Sequence, residues 1–481
     1  MDKKQELIFC PSPGIGHLIS TVELAKKLVT GHNNHFHATI LNIQHHVPAW
    51  ANATTSYINS IATSGLDIQF QDLPQVDPPY KENMKGDTFI CLLIEAHKIH
   101  VHEAVSRHLA TTSVAALILD ILCVSMLDVA KDLNLPGYIY IPSNATFLGL
   151  MLYLPTLDAK VLSEIEDVKD VIDIPVLRSA PPLSMPGFMM DKKDECYTIV
   201  LNYGYKLREA RGFIVNTFKN LEMKPLKALE TGQCLPDQPT PALFTVGPLL
   251  ASEKKEEEGK KHECIKWLDE QPEKSVVFLC FGSMGCFDKE VVKEIALGLE
   301  RSEQRFLWAL RTPSRENALI PSDADLGEVL PEGFLERTRE KGLVWPSWVP
   351  QLGVLAHTAV AGFVTHCGWN SVSESLWHGV PMLAWPLYAE QHMNAVMVVR
   401  EMGVGLELKV DRKNGGFVRW EELEKVIRSL MEGEEGRKVR QRAEEMKVAG
   451  RRAGEEGGSS YASLELLVHH IIKDASTGSI G

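Results

Sequence analysis

Residues 364–379 read VTHCGWNSVSESLWHG and place several hydrogen-bonding side chains close together. The apolar residues 360–363 lead into it, and a histidine, a glycine, a tryptophan and an asparagine follow close together. Ser371 and Glu374 then have the S-x-x-E spacing of a helix capping box. The pattern predicts a buried strand that ends in a polar turn and continues into a helix. In open parallel sheets, ligands bind at turns of this kind, outside the carboxyl ends of the strands.

Short β-rich segments alternate with helical patterns, such as residues 21–30 and 89–109, on both sides of this stretch. Such alternation predicts an α/β fold with parallel sheets that helices cover on both faces. Residues 115–119 (AALIL) are apolar without a break, as is typical of a strand buried on both faces. The predicted strands are residues 7–10, 37–43, 68–70, 115–122, 138–141 and 212–218, followed by 276–281, 306–310, 343–345, 362–365, 382–385 and 404–408.

A charge run, SEKKEEEGKKHEC at residues 252–264, separates the two halves of the chain. A chain of 481 residues exceeds what one hydrophobic core usually serves, so two domains are expected. A charged run between them is typical of a solvated linker. We predict two doubly wound domains, residues 1–251 and 265–458, joined by this linker. An amphipathic helix at residues 459–473 and a disordered polar tail at 474–481 complete the chain.

The composition is that of an ordinary soluble globular protein, with 44% hydrophobic and 23% charged residues. A net charge of −13 weighs against a nucleic-acid partner, because its long-range field repels a polyanion. The charged start of the chain is unlike a secretory signal, and the apolar segment 114–130 is too short and too interrupted by aspartates to span a membrane. Nine cysteines without a C-x-x-C pair suit a reducing compartment, so we expect a cytoplasmic protein.

The turn at residues 366–371 combines the features of an anion site. Backbone amides and the positive end of the helix dipole favour a phosphate at a helix start. Gly368 permits close approach of the backbone, while His366, Asn370 and Ser371 supply hydrogen-bond donors. Neither a G-x-G-x-x-G fingerprint nor a Walker A lysine is present, so the predicted phosphate site is of another kind. The alternative is that the S-x-x-E pair caps the helix and that His366 is a satisfied core histidine.

Residues 348–391 read WVPQLGVLAHTAVAGFVTHCGWNSVSESLWHGVPMLAWPLYAEQ and resemble the signature box of plant UDP-dependent glycosyltransferases. The resemblance runs through all 44 positions (391 − 348 + 1) without a gap. The turns PSPGIGH at residues 11–17 and FGSMG at residues 281–285 resemble further landmarks of that family, so the resemblance covers essentially the whole chain. It implies a GT-B-like fold, in which two Rossmann-type domains face each other across a cleft and the last helix returns to the first domain.

The resemblance also implies the reaction, an inverting transfer of glucose from UDP-glucose to a hydroxyl of a lipophilic small molecule that gives a β-O-glucoside. The stretches SNATFLGLMLYLP and WPLYAEQ look like the branch that glucosylates flavonoids, other phenols and triterpenoids. UDP-glucose is then a co-substrate, and neither a cofactor nor a metal is expected. We expect a monomer whose partners are UDP-glucose and the acceptor, with no nucleic acid and no integral membrane segment.

By the same resemblance, the donor binds to the second domain. Trp348 stacks on the uracil beside Gln351, and Glu374 accepts both ribose hydroxyls, for which a carboxylate has two oxygens. Gln391 at the end of the box is the pattern associated with glucose, and a histidine there would suggest galactose. Glu390 departs slightly from the family, in which many members carry aspartate. The diphosphate is held by His366, Asn370, Ser371 and Ser283 next to Gly368, and the sugar by Trp369, Glu390 and Gln391.

His17 and Asp120 are the predicted catalytic residues. His17 follows the first strand at the start of a helix, and Asp120 closes the apolar run AALILD. A carboxylate at the end of a buried strand is costly unless it has a partner, and the first and fourth strands of a doubly wound sheet can lie side by side. An Asp–His pair orients the imidazole and stabilises its protonated form, so His17 is the predicted base for the acceptor hydroxyl. The resemblance implies the same pair.

The acceptor is expected to bind to the first domain. A stretch with three methionines, SMPGFMM, supplies apolar candidates, because methionine adapts to varied ligands. The alternatives for this stretch are a lid or plain packing. The expected acceptor residues are Gly14, Asn144, Thr146 and Phe188, with Met185, Met189 and Met190 as further candidates.

Three histidines in HKIHVHE, residues 97–103, invite a metal-binding interpretation. On a helix His97 and His100 share a face, but His102 points elsewhere, and no spaced pair of cysteines completes a zinc site. We interpret the stretch as a solvated or pocket-lining helix.

Two other functions fit the same architecture. A sugar-nucleotide epimerase requires acid–base carboxylates at the sugar, whereas this chain offers one histidine aimed at an acceptor. A non-catalytic binder of UDP or of plant metabolites would be credible if His17 or Asp120 were missing. Formation of a glucoside and free UDP from UDP-glucose and a phenol distinguishes the three functions.

Overall fold

The computed structural model describes residues 4–31, 35–44, 48–77, 84–251, 261–314 and 321–477. The chain divides into two compact units. Unit 1 comprises Met1–Pro182, Phe188–Ala251 and Arg452–Gly481, and unit 2 comprises Leu183–Gly187 and Ser252–Arg451. Of the predicted linker, residues 252–260 lie outside the described residues, and a helix already begins at Glu263.

Unit 1 is built on a parallel sheet of seven strands. Its strands are β1 (Gln5–Cys10), β2 (Phe36–Asn42), β3 (Ile68–Asp72), β4 (Val114–Asp120), β5 (Gly137–Ile141), β8 (Gly212–Val215) and β9 (Ala242–Thr245), while β6 (Ile172–Ile174) and β7 (Leu177–Ala180) form a separate antiparallel ribbon. The order across the sheet is β3-β2-β1-β4-β5-β8-β9. The helices are α1 (Ile15–Thr30), α2 (Pro48–Ala62), α3 (Gly86–Ala96), α4 (Lys98–Thr111), α5 (Leu127–Asp132), α6 (Ala145–Lys160), α7 (Glu195–Lys206) and α8 (Met223–Glu230).

Unit 2 repeats this plan with six parallel strands. They are β10 (Val276–Cys280), β11 (Arg305–Ala309), β14 (Gly342–Trp345), β15 (Val360–Thr365), β16 (Met382–Ala384) and β17 (Gly405–Glu407), with an antiparallel ribbon of β12 (Arg311–Pro313) and β13 (Pro321–Asp323). The order is β14-β11-β10-β15-β16-β17, the 3-2-1-4-5-6 order of dinucleotide-binding folds. The helices are α9 (Glu263–Asp269), α10 (Lys289–Ser302), α11 (Leu326–Val329), α12 (Phe334–Thr338), α13 (Gln351–Ala356), α14 (Trp369–His378), α15 (Gln391–Val396), α16 (Trp420–Glu432) and α17 (Glu434–Gly454).

The last helix, α18 (Ser459–Thr477), belongs to unit 1 and contacts β4 and β9. Asp474 on this helix accepts hydrogen bonds from the Tyr138 hydroxyl at 2.7 Å and from two guanidinium nitrogens of Arg211 at 2.7 and 2.6 Å. Burial raises the pKa of Asp474, but these hydrogen bonds outweigh burial and hold it below its ordinary value. The predicted helix ended at residue 473, and the real one continues to Thr477 because Asp474 is anchored in this way. Residues 478–481 of the predicted tail lie outside the described residues.

The apolar runs of the sequence account for both sheets. All seven residues of β4 are buried, which is why this strand shows no alternation of apolar and polar residues. Each predicted strand overlaps an observed one, whereas β9 and the two ribbons were not predicted. The predicted helix at residues 89–109 is two helices that break at His97. Among the residues described, no helix combines the length and the apolar character needed to cross a membrane.

Candidate active site

The strand order of each sheet reverses at one point, and His17, Asp120 and His366 lie at the ends of the strands that flank it. In unit 1 this switch point lies between β1 and β4, and in unit 2 between β10 and β15. The loops at the carboxyl ends of these strands lead into helix N-termini, where ligands bind in doubly wound folds. Each unit therefore has one expected binding position.

At the switch point of unit 1, His17 and Asp120 lie together. Nδ1 of His17, in the first turn of α1, is 2.7 Å from Oδ2 of Asp120, the last residue of β4. The Asp120 side chain is fully buried and also accepts the backbone N–H of Leu122 at 2.9 Å, whereas the His17 side chain is 35% exposed. Because a carboxylate only accepts, it receives the Nδ1–H of the ring. In a neutral ring Nε2 is then the nitrogen that carries no hydrogen.

A second contact fixes the helix that carries His17. The hydroxyls of Ser20, one turn further along α1, and of Tyr140 on β5 are 2.5 Å apart, and both are buried. Burial raises the pKa of Tyr140, so its hydroxyl stays neutral and remains a hydrogen-bonding partner. Neither Ser20 nor Tyr140 was predicted from the sequence as a functional residue. The one signal that the sequence offered is the i, i+3 spacing of Ser20 from His17, which places both on the same face of α1.

Gly14 is the N-cap residue of α1 and lines a pocket. Its φ of 143° lies in a region that favours glycine, and this conformation lets the loop after β1 enter the helix. The pocket is lined by Pro11, Ser12, Pro13, Gly14, Leu18, Asn42, Ile43 and Thr54. Of the four expected acceptor residues, Gly14 is the one that lines this pocket.

Asn144 and Thr146 serve the start of α6 instead. Both are fully buried. The Asn144 side chain accepts the N–H of Phe147 at 2.8 Å and so caps the helix, while the Glu222 carboxylate accepts the N–H groups of Ala145 and Thr146 and the Thr146 hydroxyl. The polar groups of Asn144 and Thr146 therefore make hydrogen bonds inside unit 1, and we leave these two residues out of the proposed acceptor site. Glu222, which binds the start of α6, was not predicted from the sequence.

The methionine stretch divides between the two units. Leu183–Gly187, which includes Met185, groups with unit 2. The physical reason is that Arg412 of unit 2 donates hydrogen bonds to the carbonyls of Leu183 and Met185, the latter at 2.8 Å. In unit 1, Phe188 is half-buried and Met189 is fully buried.

In unit 2, His366 follows β15 and inserts between two glycines. A Cβ added to Gly282 would lie 2.6 Å from Nε2 of His366, and one added to Gly368 would lie 2.5 Å from the same atom. Burial lowers the pKa of His366 to about 4, so the ring is neutral at physiological pH. Its Nδ1 has no hydrogen-bond partner among the residues described. A neutral imidazole can donate one N–H to an oxyanion without adding a charge. Ser283, next to Gly282, is exposed.

The S-x-x-E pair does not cap its helix. Helix α14 begins at Trp369 with Gly368 as its N-cap, so Ser371 and Glu374 lie inside the helix rather than at its start. Gln351 connects them, since its Nε2 donates to Ser371 Oγ at 2.9 Å and to Glu374 Oε2 at 2.6 Å. Burial raises the pKa of Glu374 to about 7, against the opposing effect of the hydrogen bond from Gln351. The capping-box alternative is therefore wrong.

Trp348, the residue predicted to stack on the uracil, differs sharply in exposure from the buried tryptophans of unit 2. Trp348 is 64% exposed although it is a large apolar ring, as a stacking surface for a planar ligand requires. Gln351 is half-buried at the start of α13, and Trp369 and Asn370 occupy the first turn of α14. The N-terminal end of the α14 dipole lies at this turn and favours a negative charge there.

Glu390 and Gln391 belong to a turn at residues 387–391. The Gln391 side chain is 3% exposed, and its Oε1 accepts the N–H groups of Leu387 and Tyr388 at 3.0 Å each, which fixes the turn from inside. Oε1 of Glu390 accepts a hydrogen bond from Nδ2 of Asn394 at 3.3 Å. Asn394 falls three residues beyond the signature box and was not singled out from the sequence.

The histidine-rich stretch forms no metal site in the part of the chain that the structure describes, where no group of three His, Cys, Asp or Glu side chains has the required arrangement. His97 and His100 share a face, with ring centroids 6.2 Å apart. His97 is fully buried, and its Nδ1 bonds to the carbonyl of Leu93 at 2.7 Å. This histidine is therefore a core residue rather than a solvated one.

Known relatives match over nearly the whole chain. The family model described as UDP-glucoronosyl and UDP-glucosyl transferase matches residues 234–434. A malvidin galactosylase from Oryza sativa subsp. indica is 43% identical over 477 residues, which covers 98% of this chain and 98% of that protein. A UDP-glucose flavonoid 3-O-glucosyltransferase 6 from Fragaria ananassa is 42% identical over 493 residues, covering 98% and 99%.

Solved structures share the fold. The UGT71G1 protein of Medicago truncatula, complexed with UDP-glucose, has a TM-score of 0.84 and 40% identity and covers 98% of this chain and 99% of that one. UGT2 of Phytolacca americana, complexed with UDP-2fluoro-glucose and pterostilbene, has a TM-score of 0.87 and 34% identity and covers 97% and 99%. The predicted pair of Rossmann-type domains is confirmed, the neighbours are GT-B glycosyltransferases, and a transferase is supported over the epimerase and the non-catalytic binder. The chain belongs to the UDP-glucoronosyl and UDP-glucosyl transferase family, and it is a glycosyltransferase that uses a UDP-sugar.

Proposed function

We propose that this enzyme transfers glucose from UDP-glucose to a hydroxyl of a flavonoid or a related lipophilic phenol or triterpenoid, with inversion at the anomeric carbon, giving a β-O-glucoside. The observation that carries the mechanism is the pairing of His17 with the buried Asp120 at 2.7 Å. A buried carboxylate next to a partly exposed imidazole is the arrangement of a general base.

His17 acts on the acceptor. Its Nε2 takes the hydroxyl proton as the acceptor oxygen forms a bond to the anomeric carbon. Asp120 keeps the Nδ1–H in place, so that the ring presents the correct nitrogen and its positive charge after protonation has a counter-charge. Ser20 and Tyr140 hold the helix on which the ring is mounted.

Unit 2 takes the donor. As the bond between the anomeric carbon and the phosphate oxygen breaks, negative charge grows on the departing UDP. This negative charge is stabilised by hydrogen bonds and by the positive end of a helix dipole. The donors are the N–H groups at the start of α14, the neutral ring of His366, and the hydroxyls of Ser283 and Ser371. Trp348 stacks on the uracil, and Gln351 and Glu374 bind the base and the ribose. The sugar hydroxyls go to Trp369, Glu390 and Gln391.

The sugar and the acceptor are assigned by analogy. One relative at 43% identity is named a galactosylase, while relatives at 42% and 40% are named for glucosyl transfer to a flavonoid and to phloretin. We choose glucose because Gln391 ends the signature box. We further propose that the enzyme works as a cytoplasmic monomer without a metal ion or another cofactor, because the charge of UDP is matched by dipoles and neutral donors.

One experiment tests this proposal. The purified enzyme is incubated with UDP-glucose or UDP-galactose and a panel of flavonols, other phenols and triterpenoids, and mass spectrometry detects the glycoside while UDP is assayed. We expect a β-glucoside from UDP-glucose at an undiminished rate in excess EDTA. Release of UDP without glycoside, preference for UDP-galactose, or activity that EDTA removes and magnesium restores each contradicts one part of the proposal.

A further inference from the structure

We propose that Asn394 is a positioning residue that joins the two turns of the donor site. The inference rests on the proposed function, because it takes the 366–371 turn as the phosphate site and Glu390 as a ligand of the sugar. It assigns to a residue outside the signature box the task of holding the phosphate and sugar contacts at a fixed distance from each other.

Asn394 is fully buried on α15. Its amide nitrogen Nδ2 carries two hydrogens and makes two hydrogen bonds, to the carbonyl of Cys367 at 2.9 Å and to Oε1 of Glu390 at 3.3 Å. Cys367 lies in the 366–371 turn, and Glu390 lies in the 387–391 turn. A single amide group therefore ties both turns together.

The 366–371 turn needs support at Cys367. This residue is fully buried and has a φ of 63°, a conformation that costs a non-glycine residue free energy. Its N–H donates to the Thr365 hydroxyl at 3.3 Å, and its carbonyl accepts from Asn394. The peptide unit that leads into Gly368, the N-cap of α14, is thus held by the Asn394 side chain. The direction of the first N–H groups of α14 follows from that peptide.

In the 387–391 turn, Asn394 restricts the orientation of the Glu390 side chain. Asn394 lies four residues after Glu390, so its side chain reaches back to the carboxylate from the next turn of the helix. A hydrogen bond to an ionised oxygen is stronger than one between neutral groups and restricts the rotation of the carboxylate. The position of the second oxygen of Glu390 is then also restricted, and a fixed position is what the recognition of particular sugar hydroxyls requires.

Substitution of Asn394 separates this role from simple packing. Asn394→Asp keeps the shape but places acceptor oxygens against the Cys367 carbonyl and the Glu390 carboxylate, and Asn394→Ala removes both hydrogen bonds. We expect each variant to lower kcat/KM for UDP-glucose about 10- to 100-fold, the range of a hydrogen bond to a charged group, chiefly through a higher KM. Calorimetry should show weaker binding of UDP itself. Met393→Leu, at a buried neighbour on the same helix, is the matched control and should leave both quantities unchanged.

A double-mutant cycle with Glu390→Gln decides the question. If Asn394 acts through Glu390, the loss in kcat/KM of Asn394→Asp with Glu390→Gln is smaller than the product of the single losses, while Glu390→Gln alone leaves UDP affinity intact. Losses that multiply, together with unchanged UDP affinity in Asn394→Asp, overturn the inference. The UDP titration needs no turnover. A wild-type enzyme that binds UDP but forms no glucoside therefore contradicts the proposed function alone, and the Asn394 variants still test the link to the phosphate turn.

Discussion

The two switch points occupy the same place in two sheets of related strand order, yet the histidines at these points have different surroundings. In unit 1, His17 lies on the helix after the first strand, its side chain is 35% exposed, and it contacts a buried carboxylate. In unit 2, His366 follows the fourth strand, is 7% exposed and fills the space that a Cβ on Gly282 or Gly368 would occupy. The difference shows that the surroundings of a ring, rather than its position in the fold, set its chemistry: burial keeps His366 neutral, whereas the carboxylate beside His17 is the feature on which its proposed role as a base rests.

The largest effect is expected at His17. Because a general base contributes about 10²- to 10⁴-fold, His17→Ala should lower kcat by that range with an aliphatic alcohol as acceptor. UDP affinity by calorimetry should stay at the wild-type value, since the UDP contacts are assigned to unit 2. A near-normal kcat would move the base elsewhere, and a collapse of UDP affinity would make His17 a structural residue.

Asp120→Asn is the companion variant. It removes the counter-charge of the protonated ring but keeps the ring, so its loss of kcat should be smaller than that of His17→Ala. Phenols that ionise more readily need the base less, so both losses should shrink as the pKa of the acceptor falls. A loss that is the same for all acceptors would show that the pair does not act on the proton.

Gly282→Ala tests whether the His366 ring needs the space left by a glycine beside it. The new Cβ meets the His366 ring at 2.6 Å at a residue whose φ is 73°, so the ring must move or the turn must distort. UDP affinity should fall about 10- to 100-fold, which corresponds to the cost of one strained residue. Gly415→Ala is the matched control, because Gly415 also has a positive φ, 60°, but an added Cβ there meets nothing within 4 Å. Equal losses in the two variants would exclude the ring as the cause.

Gln391 tests whether unit 2 also selects the sugar. Gln391→His changes the hydrogen-bond partner of the sugar hydroxyls, and the ratio of kcat/KM for UDP-glucose to that for UDP-galactose should fall about tenfold. Gln351→His, a change of the same kind at the proposed base and ribose site, should weaken both donors equally. An unchanged ratio in Gln391→His would remove Gln391 from the sugar site.

The smallest effect concerns pH and Glu374. Burial raises its folded-state pKa from 4.5 to about 7, so between these values the folded protein binds more protons than the unfolded chain. The free energy of unfolding should therefore fall as pH rises through about 7, and this fall should be absent in Glu374→Gln. Thermal melts at about pH 5 and about pH 8 measure the difference, with exposed Glu336→Gln as the control. Parallel pH profiles for wild type and Glu374→Gln would contradict the shift.

Most of the fold was predictable because its signals are local. Unbroken apolar runs such as β4 and the helical spacings between them are properties of a few adjacent residues, and they gave each predicted strand of both sheets a counterpart in the structure. The edge strand β9 was missed because three of its four residues are only half-buried, which leaves a weak apolar signal.

The candidate site was predictable to a smaller extent. The positions of His366 and of the first turn of α14 follow from a strand that runs into a helix, which the sequence displays directly. The capping-box alternative failed because the helix begins two residues before Ser371, and boundaries are the least certain part of a local pattern. The helix-start contacts of Asn144 and Thr146 did not show in the sequence, because the partner of Thr146, Glu222, lies 76 residues away and the boundary that Asn144 caps is a weak local signal.

Two doubly wound domains, a turn suited to a phosphate and the candidate residues at the strand ends could be inferred from the sequence alone, because hydrophobic periodicity and turn chemistry act over short distances. Which of these residues meet depends on the three-dimensional arrangement. His17 and Asp120 are 103 residues apart and pair because β1 and β4 are neighbours, and Asn394 reaches Cys367 across 27 residues because α15 packs beside the 366–371 turn. Such contacts depend on strand order and helix packing, which bring together residues that no local pattern connects.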